Sequence, residues 1–265
     1  MQTVTKGTLE YGIAENIAVP HAFTTRLGGV SVGHLDSLNL GFHRGDAPEN
    51  VAKNYAILAD ALDFDPQNLV LTRQTHSDII RNVTKNDAGL GFDHGLYPEC
   101  DGLITNTPGV ALVVFTADCT PILLHDPVTG AVGAVHAGWR GTASDIAGKA
   151  VAKMAKTFGC RPENIRAAIG PNIGQCCFQT DGDVPAALRE AFGAEAEEFI
   201  RASGEKYYVN LKQINALALR RRGVENIDIS AECTMCRHDR YWSHRFTQGL
   251  RGSQGAIIVC KEGTK

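Results

Sequence analysis

In the stretch TADCTPILLHDPVTGAVGAVHAGWRGT, residues 116–142, a cysteine and a histidine lie 17 positions apart on either side of an apparent hairpin. A thiolate and an imidazole readily share a metal, and they equally make a nucleophile and its base. Cys119 and His136 therefore admit three readings: nucleophile with base, metal ligands, or polarisable core residues. If Asp126 pairs with Ala131 across the turn Pro127-Val128-Thr129-Gly130, the register sets His136 opposite Pro121. Cys119 then sits two residues beyond that pair, at the entry corner of the hairpin, within side-chain reach of His136. A slip of one residue would send one of the two to the other face.

AGWRGT follows His136 and reads as a strand-to-helix turn. Unpaired N–H groups at a helix start suit an anion, and Arg140 could add a guanidinium fork for phosphate or carboxylate. The plainer alternative is that Gly138 and Gly141 only permit a tight turn and that Arg140 pairs with a nearby Asp. A catalytic zinc keeps three protein ligands and an open position, and spacing alone does not select a third among nine histidines. His76, in RQTHSDII, reads by itself as an ordinary hydrogen-bonded histidine. Near the C-terminus ECTMCRHDRYWSHRF holds Cys233, Cys236, His238 and His244, a C-x-x-C with nearby histidines, but its spacing is cramped for a closed tetrahedral site. The vicinal pair Cys176-Cys177 is badly placed for a relaxed disulfide and reads as packing or loop lining. No H-x-H pair, H-x-E…P-C-x-x-C signature, P-loop or strand-following G-x-G-x-x-G is present.

The elements that must position these residues follow from pattern. The first 45 residues read as extended segments broken by turns. Asp46-Ala47-Pro48-Glu49 predicts a helix start with Asp46 as cap, running to about Leu62. LVLTRQTHSDIIRNV supplies one or two strands, residues 86–101 a loop, and DGLIT and GVALVVFTADC two strands joined by NTPG. PILLHD and AVGAVH form the hairpin, and a helix spans Thr142 to about Phe158, ending at Gly159. NIRAAIG, ENIDIS and GAIIVC read as strands; DVPAALREAF and NLKQINALALRRRG read as helices. Adjacent strand pairs among helices predict a single α+β or mixed-sheet α/β domain with helices on the sheet faces.

Composition bounds the function. A net charge of −3 over 265 residues, with RRR at 220–222 as the longest basic run, offers no footprint for nucleic acid or an anionic membrane. That run ends an apparent helix, where cations suit the dipole. The N-terminal segment lacks a signal-peptide pattern and no run of about 18 apolar residues occurs, so a cytoplasmic protein is expected. The eight cysteines then read as reduced thiols.

SLNLG (37–41), GDAPENVAKN (45–54), RQTH (73–76), CDGLIT (100–105), TADCTPILLHDP (116–127), AVHAGWRGT (134–142), IGPNIGQCCF (169–178) and the final GSQGAII together resemble the YfiH family. Its members are labelled multicopper polyphenol oxidoreductases or laccase-domain proteins, and also purine nucleoside phosphorylases. The resemblance runs in order along nearly the whole chain. It implies one catalytic domain over residues 1–265, a sandwich of mixed β-sheets covered by helices, similar in outline to cysteine-dependent toxin deamidases. It implies a catalytic zinc held by His76, Cys119 and His136, with copper as an alternative metal. The implied reactions are phosphorolysis of adenosine, inosine, guanosine and S-methyl-5'-thioadenosine, and deamination of adenosine by a zinc-activated water. Its partners would be purine nucleosides and phosphate, in a monomer or small homo-oligomer. On that resemblance Arg140 becomes the expected phosphate residue, and Asn39 and Asp101 the expected polar contacts to ribose or base. A hydrolase with Cys119 as nucleophile and His136 as base, and a copper-dependent polyphenol oxidase, stand as alternatives. The chain departs from common family forms at Asn172, Gln175, His244 and Ser253, where substrate preference is at stake.

Overall fold

The computed structural model describes residues 1–92 and 98–261, so part of the expected loop at 86–101, residues 93–97, lies outside the described residues. Three strands open the chain: β1 (Gln2–Lys6), β2 (Leu9–Ile13) and β3 (His21–Thr24). Helix α1 (Pro48–Leu62) buries Val51, Tyr55, Leu58 and Leu62, spaced three and four apart on one face. Its cap is Ala47 rather than Asp46, because the Asp46 carboxylate is drawn to Ser31 (2.6 Å) and Asn39 (2.9 Å) on a neighbouring loop. Strands β4 (Leu69–Leu71), β5 (Ile80–Asn82), β6 (Gly102–Thr105), β7 (Ala111–Thr116), β8 (Thr120–His125) and β9 (Val132–Ala137) follow.

The helix expected from Thr142 is two helices, α2 (Trp139–Ala143) and α3 (Ile146–Phe158). Asp145 divides them: its backbone is left-handed (φ 56°) and its carboxylate accepts a hydrogen bond from Gly148 N–H, capping α3. Gly159, at φ 71°, ends α3 where the sequence places its stop. The remainder comprises β10 (Arg166–Ile169), β11 (Gln179–Thr180), α4 (Asp183–Phe192), β12 (Ile200–Ser203), β13 (Lys206–Val209), α5 (Leu211–Arg221), β14 (Asn226–Ile229), α6 (His244–Thr247) and β15 (Gln254–Val259).

Two mixed six-stranded sheets carry the architecture, ordered β1-β2-β3-β15-β7-β4 and β14-β10-β8-β9-β6-β5, with a small third sheet β11-β13-β12. The pairs β4/β7, β5/β6 and β10/β14 are parallel and the others antiparallel. Alternation along the central strands stacks the layers. On β7, Leu112 and Val114 face the core between the sheets, whereas Ala111 and Val113 face the α1 side. On β8, Leu123 joins the inter-sheet core, whereas Ile122 and Leu124 pack with residues of α3 and α5. The result is a helix–sheet–sheet–helix sandwich, the α/β architecture expected.

The β8/β9 hairpin has the register read from the sequence, with Pro121 opposite His136 and Asp126 N–H bonded to Ala131 C=O (2.9 Å). NTPG does not close a hairpin: β6 and β7 belong to different sheets, and this link carries the chain from one to the other.

His125, 3 % exposed at the end of β8, is a titratable group inside this packing. Burial, helped by the Arg166 guanidinium, pushes its imidazole from 6.5 down to about 4. An unfolded chain therefore takes up a proton that folded His125 refuses, so its contribution to stability is lost as pH falls from 6.5 to about 4. Thermal melting across that window should show a midpoint that falls with pH, and more shallowly in His125→Leu. Equal slopes for both proteins would contradict this assignment.

Candidate functional site

Chain crossings between the two sheets build the site. His76 lies on the crossing from β4 in the first sheet to β5 in the second; Cys119 lies on the short link from β7 to β8. His136 stands near the end of β9. His76 and Cys119 come from two separate crossings and His136 from the strand between them, and one donor atom of each lies within 4.8 Å of the others. The two imidazoles meet edge to face at 5.0 Å. A methyl at Gly138 would come within 2.6 Å of His76 Nδ1 and 3.4 Å of Cys119 Sγ, so a glycine is required beside the donors.

Asp101, fully buried just before β6, sets the position of two of the three. Its carboxylate accepts hydrogen bonds from Thr75 N–H (3.1 Å), His76 N–H (3.1 Å), Ser77 N–H (2.7 Å) and the Ser77 hydroxyl (2.7 Å). It also contacts His136 Nδ1 at 2.7 Å. His76 takes a left-handed backbone, φ 60°, which costs a non-glycine residue about 1–2 kcal/mol. Hydrogen bonds to a charged group contribute about 1.5–3 kcal/mol each, so the Asp101 cradle outweighs that strain. Burial opposes the charge on Asp101, but hydrogen bonds from His136 and Ser77 hold its pKa down at about 2.

With Nδ1 of His136 engaged by Asp101, Nε2 is the nitrogen left to face the site. A carboxylate behind a histidine is the usual support for a metal-binding imidazole. Without a metal, burial disfavours the His136 imidazolium, yet the Cys119 sulfur and Asp101 together raise its pKa to about 9. His76 moves the other way, lowered by partial burial and by the facing His136. The S/N/N donor set, converging on one point with a pocket in front, fits a metal that keeps an open coordination position.

That pocket encloses about 330 Å³ and is bordered by His76, Cys119 and His136 on one side. Phe115, Ile173 and Phe178 supply apolar wall; Arg44, Arg245 and Arg251 supply positive charge. Arg44 Nε and Arg251 Nη1 both donate to the Ser253 hydroxyl, each at 3.2 Å, which brings two guanidiniums together. Among the described residues neither forms a salt bridge, and Arg251 Nε is buried without a partner. Burial and the charge of Arg44 lower the Arg251 pKa to about 10. A second lobe of about 290 Å³ shares Arg44, Gln74, Phe115 and Ser253 with the first.

The expected substrate residues Arg140, Asn39 and Asp101 do not line this pocket. Arg140 is exposed, stacked over its neighbour Trp139 at 4.2 Å, and does not line the pocket. The helix that carries it begins at Trp139 rather than after Gly141 and has five residues. Asn39 is fully buried and braces a turn through Asp46, Gly41 and Ser253 N–H. Asp101 acts behind the donors rather than on the pocket surface. Of the cationic residues that do face the pocket, Arg44 and Arg251 lie in loops and Arg245 in the short helix α6, and no spacing singles them out. Where the family resemblance expects Arg at 253, Arg251 reaches the Ser253 hydroxyl from two residues upstream and keeps a guanidinium at that spot. His244 and Ser253 are on the wall, Gln175 bonds to Tyr208 C=O on the third sheet, and Asn172 braces Thr120 beside Cys119 (2.7 Å).

Residues 20–261 match the family described as multi-copper polyphenol oxidoreductase laccase. The chain is 38 % identical over 266 aligned residues to purine nucleoside phosphorylase YlmD of Geobacillus stearothermophilus, covering 98 % of this chain and 97 % of that protein. It is 34 % identical to purine nucleoside phosphorylase YfiH of Escherichia coli, covering 84 % and 86 %. The crystal structure of YlmD from Geobacillus stearothermophilus superposes with a TM-score of 0.92 at 37 % identity, over 98 % of this chain and 99 % of that one. That of Bacillus licheniformis YfiH, described as a hypothetical protein, does so with 0.91 at 35 % identity, over 97 % of each chain. In sequence along nearly its full length, and in the two-sheet sandwich that brings its crossings together, the chain belongs to the YfiH family.

Proposed function

We propose that the protein is a zinc-dependent purine nucleoside phosphorylase acting on adenosine, inosine, guanosine and S-methyl-5'-thioadenosine, with adenosine deaminase activity in the same pocket. Relatives that align over most of the chain carry the name purine nucleoside phosphorylase. The observation that carries the reading is the guanidinium pair of Arg44 and Arg251 beside the His76, Cys119 and His136 donors. Like charges packed together with a buried donor left open favour a polyanion, and phosphate is the second substrate of phosphorolysis. The pocket draws walls from crossings of both sheets, which supports one catalytic domain over residues 1–265. Eight free thiols fit a cytoplasmic setting.

His76, Cys119 and His136 would hold the metal; the mixed nitrogen and sulfur set suits zinc, and copper(II) would compete by its greater affinity. When bound, zinc supplies Lewis acidity and can bring the pKa of water near 7. In phosphorolysis a phosphate oxygen bonds to the ribose anomeric carbon as the bond to the purine nitrogen breaks. The electron pair leaves with the base, which takes up a proton. Arg44 and Arg251 bind the phosphate and hold it against the sugar. Phe115 and Phe178 offer apolar surface to the flat base and exclude water. Asp101 keeps a proton at His136 Nδ1 and so leaves Nε2 free of one.

Purified protein should release hypoxanthine from inosine only when phosphate is present, and chelation should abolish the release. Activity indifferent to phosphate with every purine nucleoside would overturn the phosphorylase assignment. His76→Ala, Cys119→Ala and His136→Ala should each lose activity with the fold retained; unfolding instead would assign the three a structural role. Arg251→Met should raise KM for phosphate about 10-fold or more, the loss of one charged hydrogen bond, with a much smaller change for nucleoside. The reverse pattern would remove Arg251 from the phosphate site.

Cys119, His136 and Asp101 also stand in the order of a cysteine hydrolase, with thiol, base and orienting carboxylate. A metal on Cys119 would block that use of the thiol. Alkylation therefore separates the readings: metal-loaded protein should protect Cys119, and rapid labelling with activity tracking the free thiol would favour the hydrolase. Copper-oxidase chemistry finds little support in the ligands, because the described residues bring only two histidines into any cluster of metal-binding groups.

A further inference from the structure

The eight cysteines fall into three groups. Cys100, Cys160 and Cys260 are buried core residues, and Cys119 belongs to the site above. The remaining four, Cys176, Cys177, Cys233 and Cys236, come together from two distant loops, one following β10 and the other following β14. Cys176 and Cys236 are exposed, so filling apolar space does not account for them. Their partners are each other, not the histidines beside the C-x-x-C. His238 stacks on Phe246 with ring centres 3.6 Å apart, and His244 turns into the pocket.

The sulfur spacing separates the possible fates of this cluster. Cys236 Sγ lies 3.6 Å from Cys176 Sγ and 3.4 Å from Cys177 Sγ, and the four Sγ atoms lie within 4.8 Å of one another. Tetrahedral zinc with bonds of about 2.3 Å sets its sulfurs about 3.8 Å apart, whereas a disulfide draws two sulfurs to about 2.05 Å. Two disulfides would need only pairwise contacts; a mutual cluster of four is the arrangement a single ion requires. Supporting groups are also present. Gly174 N–H donates to Cys233 Sγ at 3.1 Å. Lys212 is buried with its ammonium on Ser230 C=O and Glu232 C=O, the latter next to Cys233 in the chain, which places a cation beside the sulfurs.

We propose that Cys176, Cys177, Cys233 and Cys236 form a second, closed zinc site, structural rather than catalytic. Four protein ligands leave no open position for substrate. The ion joins the loop carrying Ile173 and Phe178 to the loop leading to His244 and Arg245, four residues of the pocket wall. Both loops also meet at Asp118, which accepts from Thr234 Oγ1 (2.6 Å), Arg245 N–H (2.7 Å) and, through its carbonyl, Ile173 N–H (2.9 Å). The clamp thus fixes the pocket wall next to Cys119 from outside.

Metal content tests the site independently of catalysis. Wild-type protein purified under reducing conditions and supplied with Zn²⁺ should hold two zinc ions per chain. The triple variant His76→Ala/Cys119→Ala/His136→Ala should keep one, and its zinc-edge X-ray absorption should show an all-sulfur shell at about 2.3 Å. Cys176→Ser/Cys233→Ser should keep the other, in a mixed nitrogen and sulfur shell. A triple variant that binds no zinc, or whose zinc lacks the four-sulfur shell, would overturn the proposal. That variant leaves the cluster intact, so the result stands even if the Cys→Ser protein does not fold.

Discussion

The Asp101 carboxylate is the constraint on which the site depends. It is buried and ionised, and it accepts hydrogen bonds from one loop and one strand and so ties them together. On one side it holds three consecutive backbone N–H groups of residues 75–77, and with them the left-handed conformation at His76. On the other it fixes the orientation and tautomer of His136. Without it the loop would relax to an unstrained backbone and the imidazole would turn; the donors would still be present but would no longer converge.

Around that constraint the sandwich does the positioning. His76 and Cys119 lie where the chain passes between the sheets, beside His136 on β9, so the packing that stacks the sheets also sets the separation of the ligands. The same edge gathers Arg44 and Arg251 from opposite ends of the chain onto the Ser253 hydroxyl. Metal donors and guanidiniums thus become neighbours only in the folded state. This arrangement suits a reaction in which an anion must be held against an electrophilic carbon.

Much of this was legible in the sequence, for identifiable reasons. The β8/β9 register followed from a short turn and strict alternation, which leave few ways to pair, and the helices ended where a glycine or the loss of periodicity said they would. Asp145 was missed as a break because a left-handed aspartate inside an otherwise helical pattern leaves no mark on periodicity. His76 came in only through family resemblance: a lone histidine in a crossing loop has no local signature, since its partners lie 43 and 60 residues further on. Arg140 looked like the phosphate residue because a glycine-flanked arginine near a helix start is a familiar pattern, yet the short helix turns it outward onto Trp139. Cys233 and Cys236 hinted at a metal by their spacing, but the histidines next to them in sequence are too cramped to complete a site, whereas the fold brings up the vicinal cysteines of another loop.

The central claim is that Asp101 preorganises the two histidine donors, and zinc affinity measured by competition with a chromophoric chelator tests it most directly. Asp101→Asn keeps the size of the side chain but removes its charge and acceptor pattern. The account predicts a zinc affinity at the His76/Cys119/His136 site weaker by about 10–100-fold, with the thermal unfolding still cooperative. An affinity equal to wild type in the folded variant would contradict it.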